Sequence, residues 1–189
     1  MTLEKAHTAL VVIDLQKGIV GTPSEPHTAD VVVSNASKLA QAFRKNHMPV
    51  FLVRVTPSPD GKDRLQPLTG NKTPMNFQRT ADWADIVPEL GPMPDDFVIT
   101  KRHWGAFYGT ELDLQLRRRD VRTIVLCGIS TNMGVESTAR FAYEYGYQQI
   151  FVEDASAARS TEEHNHTMKT TFARIGRIRT TQELLASLE

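Results

Sequence analysis

The stretch that most constrains this chain is residues 124–140, IVLCGISTNMGVESTAR. It opens with Ile124, Val125, Leu126 and Cys127, a run too short and too continuously apolar for a surface helix. Gly128 breaks the run, and Ser130, Thr131 and Asn132 supply turn and cap chemistry. Val135, Thr138, Ala139 and Ala142 then recur at helical spacing. The pattern predicts a buried strand, a polar turn, and a helix whose N-terminus lies just beyond the strand end. Strands buried on both faces belong to parallel sheets covered by helices on each side. Ligands of such sheets bind outside the carboxyl ends of the strands. A helix N-terminus placed there offers backbone N–H groups and a positive dipole end to a developing negative charge.

The remaining sequence alternates in the same way. Thr8 to Ile13 is a β-branched apolar run that ends in Asp14. Gly18, Gly21, Pro23 and Pro26 mark a loop, after which Thr28 or Asp30 can cap a helix with Val32, Ala36, Leu39, Ala40 and Phe43 on one stripe. Asn46 and Pro49 end it, and Val50 to Val55 reads as a second buried strand. Residues 56–95 are rich in proline and glycine, with room for one short helix over Ala81 to Val87. An irregular excursion of this length inside a domain covers a site or builds an interface. Phe97 to Thr100, ending at Lys101, is a third strand, and Leu112 to Arg119 a short helix. After the central strand come a strand over Gln149 to Val152 and a last one over Ile175 to Ile178. Ser160 with Glu163, and Thr180 with Glu183, have capping-box spacing; the second precedes a closing helix, Gln182 to Leu188. Strands alternating with helices argue a parallel sheet with both faces covered.

Composition narrows the function classes. Lys plus Arg and Asp plus Glu each number 22 in 189 residues, so net charge points neither to nucleic acid nor to an anionic membrane. The N-terminus has no long apolar core, and no stretch approaches about 18 apolar residues, so a soluble, cytoplasmic protein of one domain over residues 1–189 is expected. The single cysteine, Cys127, allows no internal disulfide and no cysteine-based metal site. It lies inside the apolar run, where a small buried hydrophobe is expected rather than a nucleophile. GISTN places Ser130 in the serine slot of a nucleophile elbow, but Asn132 replaces the second glycine and no histidine is placed by motif to serve it. His164 and His166, two apart on a helix, face different ways and are expected to be solvated.

Three strands end in distinctive residues: Asp14, Lys101, and the turn leading to Gly134. In a parallel sheet these ends share one edge. A nearby ammonium lowers the pKa of Asp14, while burial raises it, and the sequence leaves the winner open. A buried Asp–Lys pair that only fixes the fold locally is the plainer alternative. Glycine at 134 equally permits close packing of helix on strand.

Gly128, Thr131, Val135, Thr138 and Ala139 follow the order G-x-x-T-x-x-C-V-x-x-T-A. This resembles the isochorismatase-like (cysteine hydrolase) superfamily, with Gly134 at the nucleophile cysteine position, as in isochorismatases proper. Asp14 in VVIDLQ and Lys101 in KRHWGAF match the same family's strand-end residues, with Gly105 where serine is usual. The resemblance implies a three-layer α/β/α Rossmann-like fold with a six-stranded parallel sheet. It implies a hydrolase of a small-molecule substrate, without cofactor or metal, and a homo-oligomer. Asp14 would be the general acid/base and Lys101 would hold and polarise it. The N–H groups of Ser130 and Gly134 would form an oxyanion hole beside a cis Ile129–Ser130 bond. Gln16, His103, Trp104 and Phe107 would complete the substrate site. His103 and Trp104 replace the arginine and tyrosine of isochorismatase's K-x-R-Y-S-A-F, which points away from isochorismate itself. A non-catalytic relative that keeps the fold for binding or assembly is the competing expectation; it would fill the pocket with side chains.

Overall fold

The structure, a computed structural model, describes residues 3–70 and 80–189. Six strands, β1 (Thr8–Ile13), β2 (Val50–Val55), β3 (Phe97–Lys101), β4 (Thr123–Ile129), β5 (Gln148–Ala157) and β6 (Arg177–Arg179), form one sheet in the order β3-β2-β1-β4-β5-β6. Every pairing is parallel. The chain steps outward from β1 through β2 to β3, then crosses to the other side of β1 to begin β4. The order therefore reverses between β1 and β4, and the crevice for a ligand opens at that switch point.

The helices divide between the two faces: α1 (Lys17–Val20), α2 (Ala29–Lys45), α3 (Leu112–Arg118), α4 (Glu136–Glu144), α5 (Thr161–His166), α6 (Ala173–Ile175) and α7 (Thr181–Leu188). Two-residue alternation sorts each strand between two cores. Leu10 and Val12 pack with Val32, Leu39 and Phe43 of α2 and Leu184 of α7. Ala9, Val11 and Ile13 pack on the opposite face with Leu112 and Leu116 of α3 and Ala139 and Ala142 of α4. β1 is buried at all six positions, which is why it reads as an uninterrupted apolar run. Both capping boxes are formed, Ser160 with Glu163 and Thr180 with Glu183. Thr28 occupies the N-cap position of α2 without a side-chain cap bond.

Several elements differ from expectation. Residues 81–87 are turns, held by Trp83 N–H to Thr80 O (3.1 Å) and Asp85 N–H to Asp82 O (3.0 Å), not a helix. Pro88 shortens the segment, and Ile86 instead bridges Gln16 in antiparallel fashion. β5 runs five residues past Val152, through a register shift opposite Leu126 and Gly128 that accommodates Glu153 and Asp154. The last strand is Arg177–Arg179, since Ala173–Ile175 continues a helix. Residues 71–79 of the excursion, Pro74 included, lie outside the described residues, as do residues 1 and 2. Among the described residues no helix is long and apolar enough to cross a membrane.

Candidate active site

Asp14 follows β1 directly, in a left-handed conformation (φ 54°), with its N–H donating to Val53 O at 2.9 Å. The backbone thus leaves the strand sharply, and the carboxyl group stays buried at the strand end. Lys101 ends β3, with β2 lying between β3 and β1. Two strand spacings, roughly 9–10 Å, must be crossed, which suits the longest cationic stem among the aliphatic side chains. Its ammonium donates to Asp14 Oδ2 (2.7 Å), His103 O (3.1 Å) and Trp104 O (2.6 Å). All three of its N–H donors are therefore occupied.

Gly134 closes the triangle. A Cβ at this position would lie 3.0 Å from Asp14 Oδ2 and 3.4 Å from Lys101 Nζ. With Ile13 Cγ2 at 3.1 Å as well, even a methyl group would be crowded here, so glycine lets the backbone pack directly against the ion pair. Asp14 Oδ2 is taken by Lys101, whereas Oδ1 is buried and accepts no hydrogen bond from the described residues. Burial, partly opposed by the charge and hydrogen bond of Lys101, pushes the Asp14 carboxyl up to about 6. Desolvation is thus the stronger of the two effects that the sequence left unranked.

Asp14, Lys101, His103, Trp104, Ser130 and Gly134 line one cavity of about 560 Å³. Gln16 and Phe107 do not. Gln16 is fully buried, its amide donating to Val55 O (3.1 Å) and Trp83 O (3.3 Å) and its Oε1 accepting from Val55 N–H (2.8 Å). Phe107 is a core residue whose ring packs on Tyr145 and Tyr147. The excursion contributes Arg64, Leu65 and Trp83 to the cavity wall, so it does cover a site. Trp83 was hidden in the segment read as a helix; its ring seats on Gly18, where a Cβ would come within 2.0 Å of the indole. The Ile129–Ser130 peptide bond is cis. Cys127 lies in the core, outside the cavity lining, and burial first, then Asp154, pushes its thiol up to about 12.

Beneath the β4 turn lies a group that the sequence reading missed. His164 is fully buried rather than solvated, while His166 is exposed. The Nδ1 of His164 lies 2.8 Å from Thr131 Oγ1, and its Nε2 lies 3.5 Å from Glu153 Oε1. His27 Nε2 approaches the same Glu153 oxygen at 3.1 Å. Burial lowers the pKa of His164, favouring the neutral imidazole. No spacing rule links residues 27, 153 and 164; only the fold joins them.

Known proteins share this arrangement of the chain. The isochorismatase domain pattern matches residues 8–183. The isochorismatase family protein YwoC of Bacillus subtilis (strain 168) is 50% identical over 190 residues, covering 100% of this chain and 98% of that protein. The structure of an isochorismatase family protein from Burkholderia thailandensis superposes with a TM-score of 0.94 at 43% identity, covering 99% of this chain and 97% of that one. A cysteine hydrolase from Pseudomonas syringae pv. phaseolicola superposes with a TM-score of 0.83 at 27% identity, covering 100% and 95%. With a match over most of its length and a relative half identical throughout, the chain belongs to the isochorismatase family.

Proposed function

We propose that this protein is a hydrolase of a small anionic metabolite that works without a covalent thioester. Asp14 is the general base, Lys101 positions it, and the N–H groups of Ser130 and Gly134 receive the developing oxyanion. The observation that carries this reading is the meeting of Asp14, Lys101 and Gly134 in one open cavity. A cavity filled by side chains would have favoured a binding or assembly protein; this one is large enough for a metabolite.

Gly134 stands at the family's nucleophile position, so proton transfer is the main task left to the site. With a pKa of about 6, Asp14 is roughly nine-tenths carboxylate at pH 7. Its carboxylate, which lines the cavity, takes the proton of an attacking water and returns it to the leaving group. Lys101, with three acceptors already engaged, holds Asp14 in place and does not shuttle the proton itself. Arg64 and Arg159 line the same cavity and have no acidic partner among the described residues, which suits a substrate carboxylate. The setting we infer is one catalytic domain, cytoplasmic, in a homo-oligomer.

The test is a panel of small carboxylate-bearing amides, esters and enol ethers, assayed with the native chain and with Asp14→Asn. Loss of about 10²–10⁴-fold in a folded Asp14→Asn protein is expected. Thiol alkylation and Cys127→Ala should leave turnover standing. A folded Asp14→Asn variant that keeps most of its activity would end the reading.

A further inference from the structure

We propose that His27, Glu153 and His164 form a binding site for a divalent transition-metal ion of the Zn²⁺ type, separate from Asp14 and Lys101. One ligand atom from each of the three lies within 4.8 Å of the others. Two of the separations are 3.1 Å and 3.5 Å. Three donors at about 2.0–2.2 Å from a tetrahedral ion stand roughly 3.3 Å apart, so small side-chain rotations complete the set. Two imidazoles with one carboxylate suit zinc-like ions better than magnesium or calcium, which prefer all-oxygen shells.

An ion pair alone explains only half of the cluster. It accounts for His27 and Glu153, but leaves His164 Nε2 fully buried and without a hydrogen bond among the described residues. An ion shared by all three satisfies that nitrogen and the carboxylate together. The other ring nitrogen lies 2.8 Å from Thr131 Oγ1, which orients the ring; a hydroxyl can accept from Nδ1–H, the tautomer in which Nε2 carries the lone pair for a metal. Glu153 and His27 are partly exposed, which supplies an entry path and a fourth position for water.

The place of the site gives the ion a purpose. His27 is tied by its carbonyl to Ser24, whose hydroxyl donates to it at 2.9 Å, and Ser24 lines the cavity. Thr131 adjoins Ser130 at the turn of β4. A metal here would clamp the loop before α2, the middle of β5 and α5 against the turn that carries Ser130 and Gly134. Its role is to hold one cavity wall, and it is read by binding rather than by turnover.

The experiment uses the full chain, stripped with a chelator and titrated with Zn²⁺ against a chromophoric competitor. One equivalent should bind per chain, with affinity lowered about tenfold or more in each of His27→Gln, Glu153→Gln and His164→Gln. His166→Gln, an exposed histidine on the same helix, should bind as the native chain does. Zn²⁺ should raise the thermal midpoint of the native protein and of His166→Gln, and leave Glu153→Gln unmoved. Co²⁺ in place of Zn²⁺ should give the visible bands of a tetrahedral site, lost in Glu153→Gln. Because His27 and Glu153 are partly exposed, their variants keep the test valid even where His164→Gln fails to fold. Native affinity matched by His27→Gln and Glu153→Gln, or no stoichiometric binding at micromolar ion, would overturn the proposal.

Discussion

Two influences compete for the proton of Asp14: the dry strand end retains it and the ammonium at 2.7 Å expels it. Since burial wins, the carboxyl ionises near pH 6, and a base with that pKa works better as pH rises. The rate at low substrate should therefore climb about tenfold between pH 5 and pH 6.5 and level above pH 7, a profile that pH-dependent kcat/KM measurements would show. In Lys101→Met both effects that hold the pKa down are gone, so the inflection should move upward by about one pH unit or more. An inflection that stays put in Lys101→Met would mean the ammonium does not govern this carboxylate. The same shift has a cost in stability. The folded-state pKa lies above the unfolded value, so Asp14 favours folding most below about pH 4 and loses that contribution as pH rises through about 6. At neutral pH the site holds a charge that the fold would rather neutralise, on the order of 3 kcal/mol.

At the scale of elements, the close pairing of β1 with β4 brings Asp14 beside the Ser130 turn, and Gly128 makes that pairing possible. It pairs with Ile13 at φ 128°, and a Cβ there would fall 2.1 Å from Ile13 O. Gly128→Ala should destabilise the protein by about 3 kcal/mol or more, measurable as a lowered urea midpoint. Strands such as β1, β2 and β4 were legible because continuous burial on both faces leaves an apolar run that nothing else explains. Helix α2 and the two capping boxes were legible because their signals are local. The extension of β5 was not, since Glu153 and Asp154 look like a strand end until the register shift is seen. Residues 81–87 misled because their order comes from Gln16 and Gly18, far away in sequence, and not from helical periodicity. Within the site, Asp14 and Lys101 sit at strand ends and Gly134 in the helical turn after β4, places that the topology brings together. Gln16 and His164 found their partners, Val55 and Thr131, only through tertiary contact.

At the scale of the whole molecule, an exposed aromatic group remains to be accounted for. Trp104 and Tyr108 lie on the loop after β3, and Phe141, Tyr143 and Tyr145 on or just after α4, all of them exposed. The two segments adjoin, since a Cβ on Gly105, next to Trp104, would lie 3.6 Å from the Phe141 ring, and contiguous exposed apolar surface marks contact sites. Light scattering should therefore give a dimer or larger mass at micromolar concentration, and Trp104→Lys with Phe141→Lys should lower it. A monomer mass for the unaltered chain would leave these rings without a partner copy. The sheet order carries a last consequence. Residue 14 follows the first strand, 101 ends the third and 134 lies just beyond the fourth, so no fragment shorter than about two-thirds of the chain contains all three. Chain folding must close these long loops before the three residues meet, so partly folded forms lack the assembled site. Under the function proposed above, turnover would be a gauge of the assembled sheet, and its loss under denaturant would mark the point at which the strands part.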